Sequence, residues 1–191
     1  TDLDTILWFY EDLDCPGVDD IIKSQLEKGE KVDLQYGKLM ERLLILKDKK
    51  KTALLSLIVP SAETRLANFK STLPGPVAVI GDASSSMSVA IKTATIISSL
   101  LTAICNAKLS FFHTQNFEAK VEPKNIEDVL KLASTTRASG ATAPAASLVP
   151  YMYKTRTKSK KSIVKTFIIV TDEEENTDAR TKDGKNWRFY E

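Results

Sequence analysis

One stretch, residues 77–87, constrains the fold of this chain more than any other. It begins with Val77-Ala-Val-Ile80, a short apolar run rich in β-branched side chains, and continues through Asp82-Ala-Ser84-Ser-Ser86. Such a run, followed by an aspartate and serines, is typical of a buried strand that ends in an oxygen-rich turn. A long apolar segment at residues 89–107 comes next and predicts a buried helix. The sequence therefore predicts a strand, a polar turn and a helix in direct succession.

Two further segments lead to the same edge of such a sheet. Residues 138–148 are interpreted as a turn of small residues that carries Thr142 and leads into a helix, and residues 163–172 as a second apolar strand run that ends in Asp172. Parallel strands present their carboxyl ends at one edge, where ligands bind in open α/β sheets. The sequence therefore predicts that a group of oxygen-bearing side chains converges at this edge: Asp82, Ser84, Ser86, Thr142 and Asp172.

The residue types in this group favour a hard divalent cation. Carboxylate and hydroxyl oxygens suit Mg²⁺ and Mn²⁺, whereas zinc sites are built largely from Cys and His, neither of which adjoins Asp82 in the sequence. We therefore expect Mg²⁺, with Mn²⁺ or Ca²⁺ as alternatives. Asp-x-Ser-x-Ser alone also fits a helix N-cap, since Asp and Ser are preferred there. The segments around Thr142 and Asp172 are what favour a metal.

This arrangement resembles the von Willebrand factor A domain family over roughly residues 76–172. In that family, a metal-ion-dependent adhesion site is built from Asp-x-Ser-x-Ser after the first strand, a Thr in a Gly-x-Thr-like loop and an Asp after the fourth strand. The sequence has a matching residue at every position, in the same order: Asp82, Ser84, Ser86, Thr142 and Asp172. The resemblance implies an α/β fold with a doubly wound, mostly parallel, Rossmann-like sheet.

The resemblance also implies a function. In the family pattern, the Ser and Thr hydroxyls ligate the metal, and the aspartates supply charge, often through bound water. An open coordination position then accepts a carboxylate from a partner. We therefore expect a non-enzymatic, metal-dependent protein-interaction domain whose partner presents an exposed Asp or Glu.

Residues 1–73 have a different pattern from the rest. Apolar residues recur there at helical spacing, in successive sets that tight turns separate. Pro60-Ser-Ala-Glu63 predicts the start of a last helix, which runs to Phe69. Leu73-Pro-Gly-Pro76 is typical of a linker, because its prolines and glycine stop a helix. We expect a helical segment at residues 1–73, built as helical hairpins, and an α/β domain at residues 74–191.

Within residues 74–191, apolar and polar runs alternate as in an α/β domain. They predict strands at 77–80, 108–113, 117–121 and 163–170, and helices at 87–106, 125–134 and 145–153. The segment at 186–190 is interpreted as the start of a further helix. Because members of the family continue with more strands, we expect the sheet to be incomplete at the C-terminal end, with an exposed apolar edge.

The motifs of common enzyme classes are missing from the sequence. It has neither a Gly-x-Ser-x-Gly elbow, nor a Walker-type phosphate loop, nor a Gly-x-Gly-x-x-Gly turn. A haloacid dehalogenase-type phosphotransferase needs a second acid two residues after its aspartate, where this chain has Ser84. His113, the only histidine, is expected to end a strand. These features predict a protein that is not an enzyme.

Composition narrows the cellular setting. The net charge of +2 favours no particular partner, and the two cysteines define no disulfide framework. The apolar segment at 89–107 carries Lys92 and several Ser and Thr residues, so it predicts a buried helix and not a membrane span. No signal-peptide pattern is present. We expect an intracellular, cytoplasmic protein that does not contact a membrane.

Two other functions stay open as alternatives. A basic run at residues 154–161, Lys-Thr-Arg-Thr-Lys-Ser-Lys-Lys, contains no acid and would suit RNA, although a solvated loop is the simpler interpretation. A helical segment followed by an A-type domain also resembles the Ro-type (TROVE-like) RNA-binding proteins. The other alternative is a scaffold subunit of a larger assembly, which would cover the exposed edge of an incomplete sheet.

Overall fold

The computed structural model describes residues 2–13, 15–69, 73–88, 90–154 and 163–189. The chain divides into two compact units, Thr1–Phe69 and Lys70–Glu191. The sequence predicts this boundary after residue 73. In their described residues, the first unit is built from helices and the second from a sheet with helices.

The first unit contains helices α1 (Leu3–Trp8), α2 (Val18–Glu27), α3 (Tyr36–Asp48) and α4 (Thr52–Asn68). Asp2 caps α1, because its carboxylate accepts a hydrogen bond from the Thr5 N–H at 2.8 Å. Helix α4 packs against α3. Residues spaced four apart lie on one face of a helix, and the buried residues of α4 follow that spacing: Leu54, Ile58, Ala62 and Leu66.

The course of α4 overturns one prediction. The sequence predicts that a separate helix begins at Pro60, but α4 runs without a break and has Pro60 inside it. Proline lacks the N–H that would bond to the carbonyl of Ser56. Pro60 lies on the exposed side of α4, and the buried stripe continues on both sides of it. Packing of that stripe therefore outweighs the lost hydrogen bond.

The second unit contains a four-stranded sheet in the order β3-β2-β1-β4, formed by β1 (Val77–Asp82), β2 (Lys108–Phe112), β3 (Asn116–Glu118) and β4 (Thr166–Val170). Strand β1 pairs in parallel with β2 and β4, and β3 pairs antiparallel with β2. Every residue of β1 is buried, as expected for the inner strand of a parallel sheet. The prediction of an α/β fold with a mostly parallel sheet is confirmed.

Helices lie on both faces of this sheet. They are α5 (Ile91–Cys105), α6 (Ile126–Thr135) and α7 (Val149–Lys154), and 3₁₀ turns lie at Ser85–Ser88 and Pro144–Ser147. Ile168 of β4 packs against the hydrophobic cluster that includes Ile91 and Ala94 of α5. Its neighbour Phe167 points to the opposite face, where Tyr151 of α7 contacts it with ring centroids 5.0 Å apart. Of the helices in the described ranges, none is both long and apolar enough to cross a membrane.

Residues 186–187 form a short strand, and none of the described residues of the segment at 186–190 is helical. Strands β5 (Ala179–Arg180) and β6 (Asn186–Trp187) pair antiparallel. The turn between them has Gly184 at a φ of 81°, a left-handed conformation that favours glycine. The Thr181 N–H donates to the Lys185 carbonyl at 3.0 Å. These bonds close a hairpin and give residues 186–187 a strand partner.

Gly81, directly before Asp82, leaves no room for a side chain. A Cβ at this position would lie 2.7 Å from the Phe111 ring and 2.9 Å from Ser98 Oγ. We expect Gly81→Ala to lower the free energy of unfolding by about 1–3 kcal/mol, because overpacking displaces neighbours in a dense core. Urea denaturation measures this change.

Gly37→Ala, in α3, is the control. A Cβ added at Gly37 would meet open space among the described residues beyond its own helix turn. Alanine should therefore leave stability unchanged or raise it by up to about 1 kcal/mol, since alanine favours the helix over glycine. Unchanged or increased stability in Gly81→Ala would contradict the close packing at that position.

Candidate metal centre

Asp82 lies at the carboxyl end of β1, and its side chain is completely buried (0% exposed). Its Oδ1 accepts a hydrogen bond from the Ser84 N–H at 2.8 Å, and its Oδ2 accepts one from the Thr171 hydroxyl at 2.6 Å. A carboxylate offers about four lone-pair positions, so each oxygen keeps capacity for another donor or for a cation. The two bonds fix the direction in which Asp82 presents its charge.

The serines that follow Asp82 form one turn. Ser84 is buried, whereas Ser86 lies in the 3₁₀ turn and is exposed. Their hydroxyl oxygens are 3.0 Å apart, and either one can donate. The Met87 N–H donates to the Ser84 carbonyl at 3.1 Å and closes the turn. The two hydroxyls therefore form a pair, one inside the protein and one at its surface.

Backbone hydrogen bonds attach the loop that carries Thr142 to this turn. The Ser139 N–H donates to the Ala83 carbonyl at 2.8 Å, and the Ser85 N–H donates to the Gly140 carbonyl at 2.9 Å. Gly140 has a φ of 75°, a conformation that glycine adopts without steric cost. The loop thus lies directly against the turn that contains Ser84.

Thr142 is held by its backbone, while its hydroxyl is left unused. Its N–H donates to Asn176 Oδ1 at 2.8 Å, and its carbonyl accepts from the N–H groups of Asn176 and Thr177 at 3.0 and 3.2 Å. Among the described residues, none forms a hydrogen bond with the buried Thr142 Oγ1. A buried polar group without a partner costs about 1–3 kcal/mol. An ion or another ligand that bonds to this hydroxyl would explain why it is buried without a partner among the described residues.

Other buried hydroxyls in the second unit share this condition within the described part of the chain: Thr95, Ser98, Ser99 and Ser147. Those in α5 lie on a helix, where a hydroxyl is close to the carbonyl one turn earlier. Ser147 ends the 3₁₀ turn Pro144–Ser147. Thr142 lies in the loop before that turn, which is bonded to the segment that carries Ser84 and Ser86 directly after Asp82.

Asp172 joins this group indirectly. It follows Thr171 after the end of β4, is exposed, and its Oδ1 accepts from the Glu174 N–H at 3.3 Å. Thr171, its neighbour in the chain, donates its hydroxyl to Asp82. The structure therefore brings Asp82, the serine turn and the Thr142 loop together by direct bonds. Asp172 is connected to this group only by its peptide bond to Thr171, which donates to Asp82.

Two residues that hold this group together, Thr171 and Asn176, are not identified by the sequence patterns. A signal for Thr171 exists in the strand register, because Gly81 pairs with Val170 and the next residues are Asp82 and Thr171. That register depends on knowing that β1 and β4 are neighbours. Asn176 lies in an irregular segment, and we find no sequence signal that marks it.

The available donor atoms fit a hard divalent cation. Mg²⁺ takes oxygen ligands and keeps part of its water shell, so a few protein oxygens are enough. Thr142 Oγ1, which has no hydrogen-bond partner among the described residues, keeps its full acceptor capacity. Within the described ranges, no cluster of three or more His, Cys, Asp or Glu side chains is found. The candidate set consists of carboxylates and hydroxyls.

The basic run at residues 154–161 lies outside the described residues from position 155 onward. RNA binding through this run stays a prediction from the sequence.

No protein-family model and no curated protein matches this sequence.

Asn176→Ala is expected to release the Thr142 loop. The Thr142 N–H belongs to a buried residue, so the loss of its acceptor leaves an unsatisfied donor. The free energy of unfolding should fall by about 1–3 kcal/mol. Urea denaturation measures this loss, and hydrogen exchange at the Thr142 amide should become faster.

Thr177→Ala is the matched control for this variant. Thr177 bonds the Thr142 carbonyl through its backbone N–H, which alanine keeps. Its effect should stay within about 0.5 kcal/mol. Equal losses of stability in the two variants would contradict the role assigned to the Asn176 side chain.

Proposed function

We propose that the second unit is a divalent-cation-dependent protein-interaction domain of the von Willebrand factor A type, without a catalytic role. The residues that would hold the cation, with Mg²⁺ preferred over Mn²⁺ or Ca²⁺, are Asp82, Ser84, Ser86, Thr142 and Asp172. The partner would be a protein that presents an exposed Asp or Glu.

The fold supports this proposal. A mostly parallel sheet with helices on both faces is the doubly wound arrangement that the resemblance implies. In such sheets, ligands bind beyond the carboxyl ends of the strands. Asp82 ends β1 and Asp172 follows β4, which is the direct parallel neighbour of β1. Both carboxylates therefore belong to the edge at which a ligand is expected.

One observation carries the proposal. Among the described residues, nothing bonds the buried hydroxyl of Thr142, although its backbone is held on both sides by Asn176. If Thr142 only shaped its loop, a residue without the hydroxyl would serve equally well and avoid the cost of burying it. A role for that oxygen as a cation ligand accounts for its position.

A bound divalent cation would supply an electrophilic coordination position, which a carboxylate oxygen of the partner completes. The residues of the chain prepare that position. Ser84, Ser86 and Thr142 offer uncharged oxygens, which neutralise less positive charge than carboxylates would. Asp82 is oriented by its hydrogen bonds, and Asp172 adds a second negative charge nearby. This balance favours an anionic group from the partner.

Asp82→Asn is the first test of the proposal. Asparagine keeps Oδ1 as an acceptor for the Ser84 N–H, and its amide can donate to the Thr171 hydroxyl, so the fold should be retained. Loss of the negative charge should weaken Mg²⁺ binding by about tenfold or more, which is about 1.4 kcal/mol. Calorimetric titration with Mg²⁺ measures this, and circular dichroism checks the fold. Equal Mg²⁺ affinity in the wild type and the variant would exclude Asp82 from the site.

Thr142→Val separates binding from folding. Valine is close to threonine in shape and lacks the hydroxyl that has no partner in the described part of the chain. Stability should stay the same or rise by up to about 1 kcal/mol, since no protein hydrogen bond is lost. The affinity for Mg²⁺ should fall severalfold. Thermal unfolding and calorimetry measure the two effects on the same samples.

Thr95→Val provides a matched control for this variant. Thr95 is also buried, and its hydroxyl likewise lacks a partner among the described residues, but it lies in α5. The substitution should change stability in the same direction and leave the Mg²⁺ affinity unchanged. Normal Mg²⁺ binding by Thr142→Val, or equal losses in both variants, would contradict the assignment of Thr142.

A further inference from the structure

A cleft of about 400 Å³ opens next to the Thr142 loop. Its floor is apolar and is formed by Ala146, Val149 and Pro150. Its rim is polar and includes Gln115, Thr177 and Arg180. We refer to it as the side cleft. Its volume lies at the small end of the range for ligand pockets, about 300–1,000 Å³. It suits a side chain of a partner better than a large cofactor.

The side cleft and the candidate metal centre share parts of the chain. Thr177, on the rim, donates its N–H to the Thr142 carbonyl at 3.2 Å. Ala146, on the floor, donates its N–H to the carbonyl of Ala143, the residue after Thr142, at 2.9 Å. The side cleft therefore adjoins the loop that carries Thr142.

Arg180 gives the side cleft a positive charge. Its side chain is exposed, and no carboxylate of the described residues pairs with it. Asp178, which also lines the side cleft, is paired with Arg188 instead, with 2.6 Å between Oδ1 and Nε. That ion pair offsets the negative charge of Asp178. The guanidinium of Arg180 is thus available to a ligand.

A carboxylate side chain fits these features. A guanidinium forms paired hydrogen bonds with a planar carboxylate, more readily than an ammonium group does. The Gln115 amide and the Thr177 hydroxyl can donate further hydrogen bonds. The methylene groups of an Asp or Glu would lie on the apolar floor, where burial from water is favourable.

We propose that the side cleft binds a second acidic side chain of the partner. The preferred partner is then a segment with two Asp or Glu residues within a few positions of each other, one for the metal centre and one for the side cleft. This pairing of two subsites rests on the proposed function. Binding of an acidic side chain in the side cleft needs no cation. It can therefore be tested independently of cation binding at the metal centre.

NMR spectroscopy of the ¹⁵N-labelled chain tests the side cleft alone. With EDTA present, the probe is the capped peptide acetyl-Asn-Gly-Glu-amide, and acetyl-Asn-Gly-Gln-amide is the neutral control. The acidic peptide should shift the amide signals of Gln115, Thr177 and Arg180, with a Kd on the order of millimolar. The neutral peptide should leave these signals in place. Absence of shifts with the acidic peptide would overturn the proposal.

Arg180→Gln should weaken binding of the acidic peptide by about two- to fivefold, the usual worth of an exposed ion pair. Lys131→Gln is the matched control, because Lys131 is an exposed residue of α6 and the same charge is removed. That variant should bind like the wild type. Equal weakening in both variants would show a general charge effect and overturn the proposal.

A second titration, with Mg²⁺ present, tests the pairing of the two subsites. Acetyl-Asp-Gly-Glu-amide should bind the wild type about two- to fivefold more tightly than acetyl-Asp-Gly-Gln-amide. Arg180→Gln should abolish this difference. A difference that persists in Arg180→Gln would overturn the pairing. Failure of the wild type to bind Mg²⁺ would refute the proposed function, and the EDTA titration would still decide on the side cleft.

Discussion

The buried carboxylate of Asp82 is the constraint around which the second unit is organised. Taking a carboxylate out of water costs several kcal/mol unless hydrogen bonds compensate it. The Ser84 N–H and the Thr171 hydroxyl supply that compensation, and each bond to a charged group contributes about 1.5–3 kcal/mol. The turn after β1 and the end of β4 therefore meet at one point. The Thr142 loop is hydrogen-bonded to the same turn and therefore lies at the same edge of the sheet.

The oxygens at this edge of the sheet differ in how many protein hydrogen bonds they form. Those of Asp82 accept hydrogen bonds from the protein, whereas the Thr142 hydroxyl, within the described residues, has no partner. Local departures of this kind are typical of functional sites, and the surrounding structure has to offset them. Asn176 does so here, because it bonds the backbone of Thr142 on both sides and leaves the hydroxyl available.

Local sequence patterns predict the strands. They fail where the structure depends on contacts between residues that are far apart in the chain. The apolar runs of β1 and β4 indicate burial directly, so both strands are found within or around the predicted ranges, although β4 begins at Thr166 and not at residue 163. The turn around Asp82 is predictable because its members are adjacent in the chain. At Pro60, the local signal for the start of a new helix is overridden by packing between α4 and α3. Thr171 and Asn176 escape prediction because their partners lie 89 and 34 positions away.

The tight contact at Gly81 also affects how α5 meets water. A helix that approaches a strand so closely needs small groups at the contact, and Ser98 is one of them. The buried residues of α5 accordingly combine the aliphatic Ile91 and Ile96 with small ones: Ala94, Thr95, Ser98, Ser99 and Thr102. Other aliphatic side chains of the helix stay partly in water, since Ile97 is 41% exposed and Leu100 and Ile104 are half-buried. Helix α5 thus buries several hydroxyl groups while part of its hydrocarbon remains in contact with solvent.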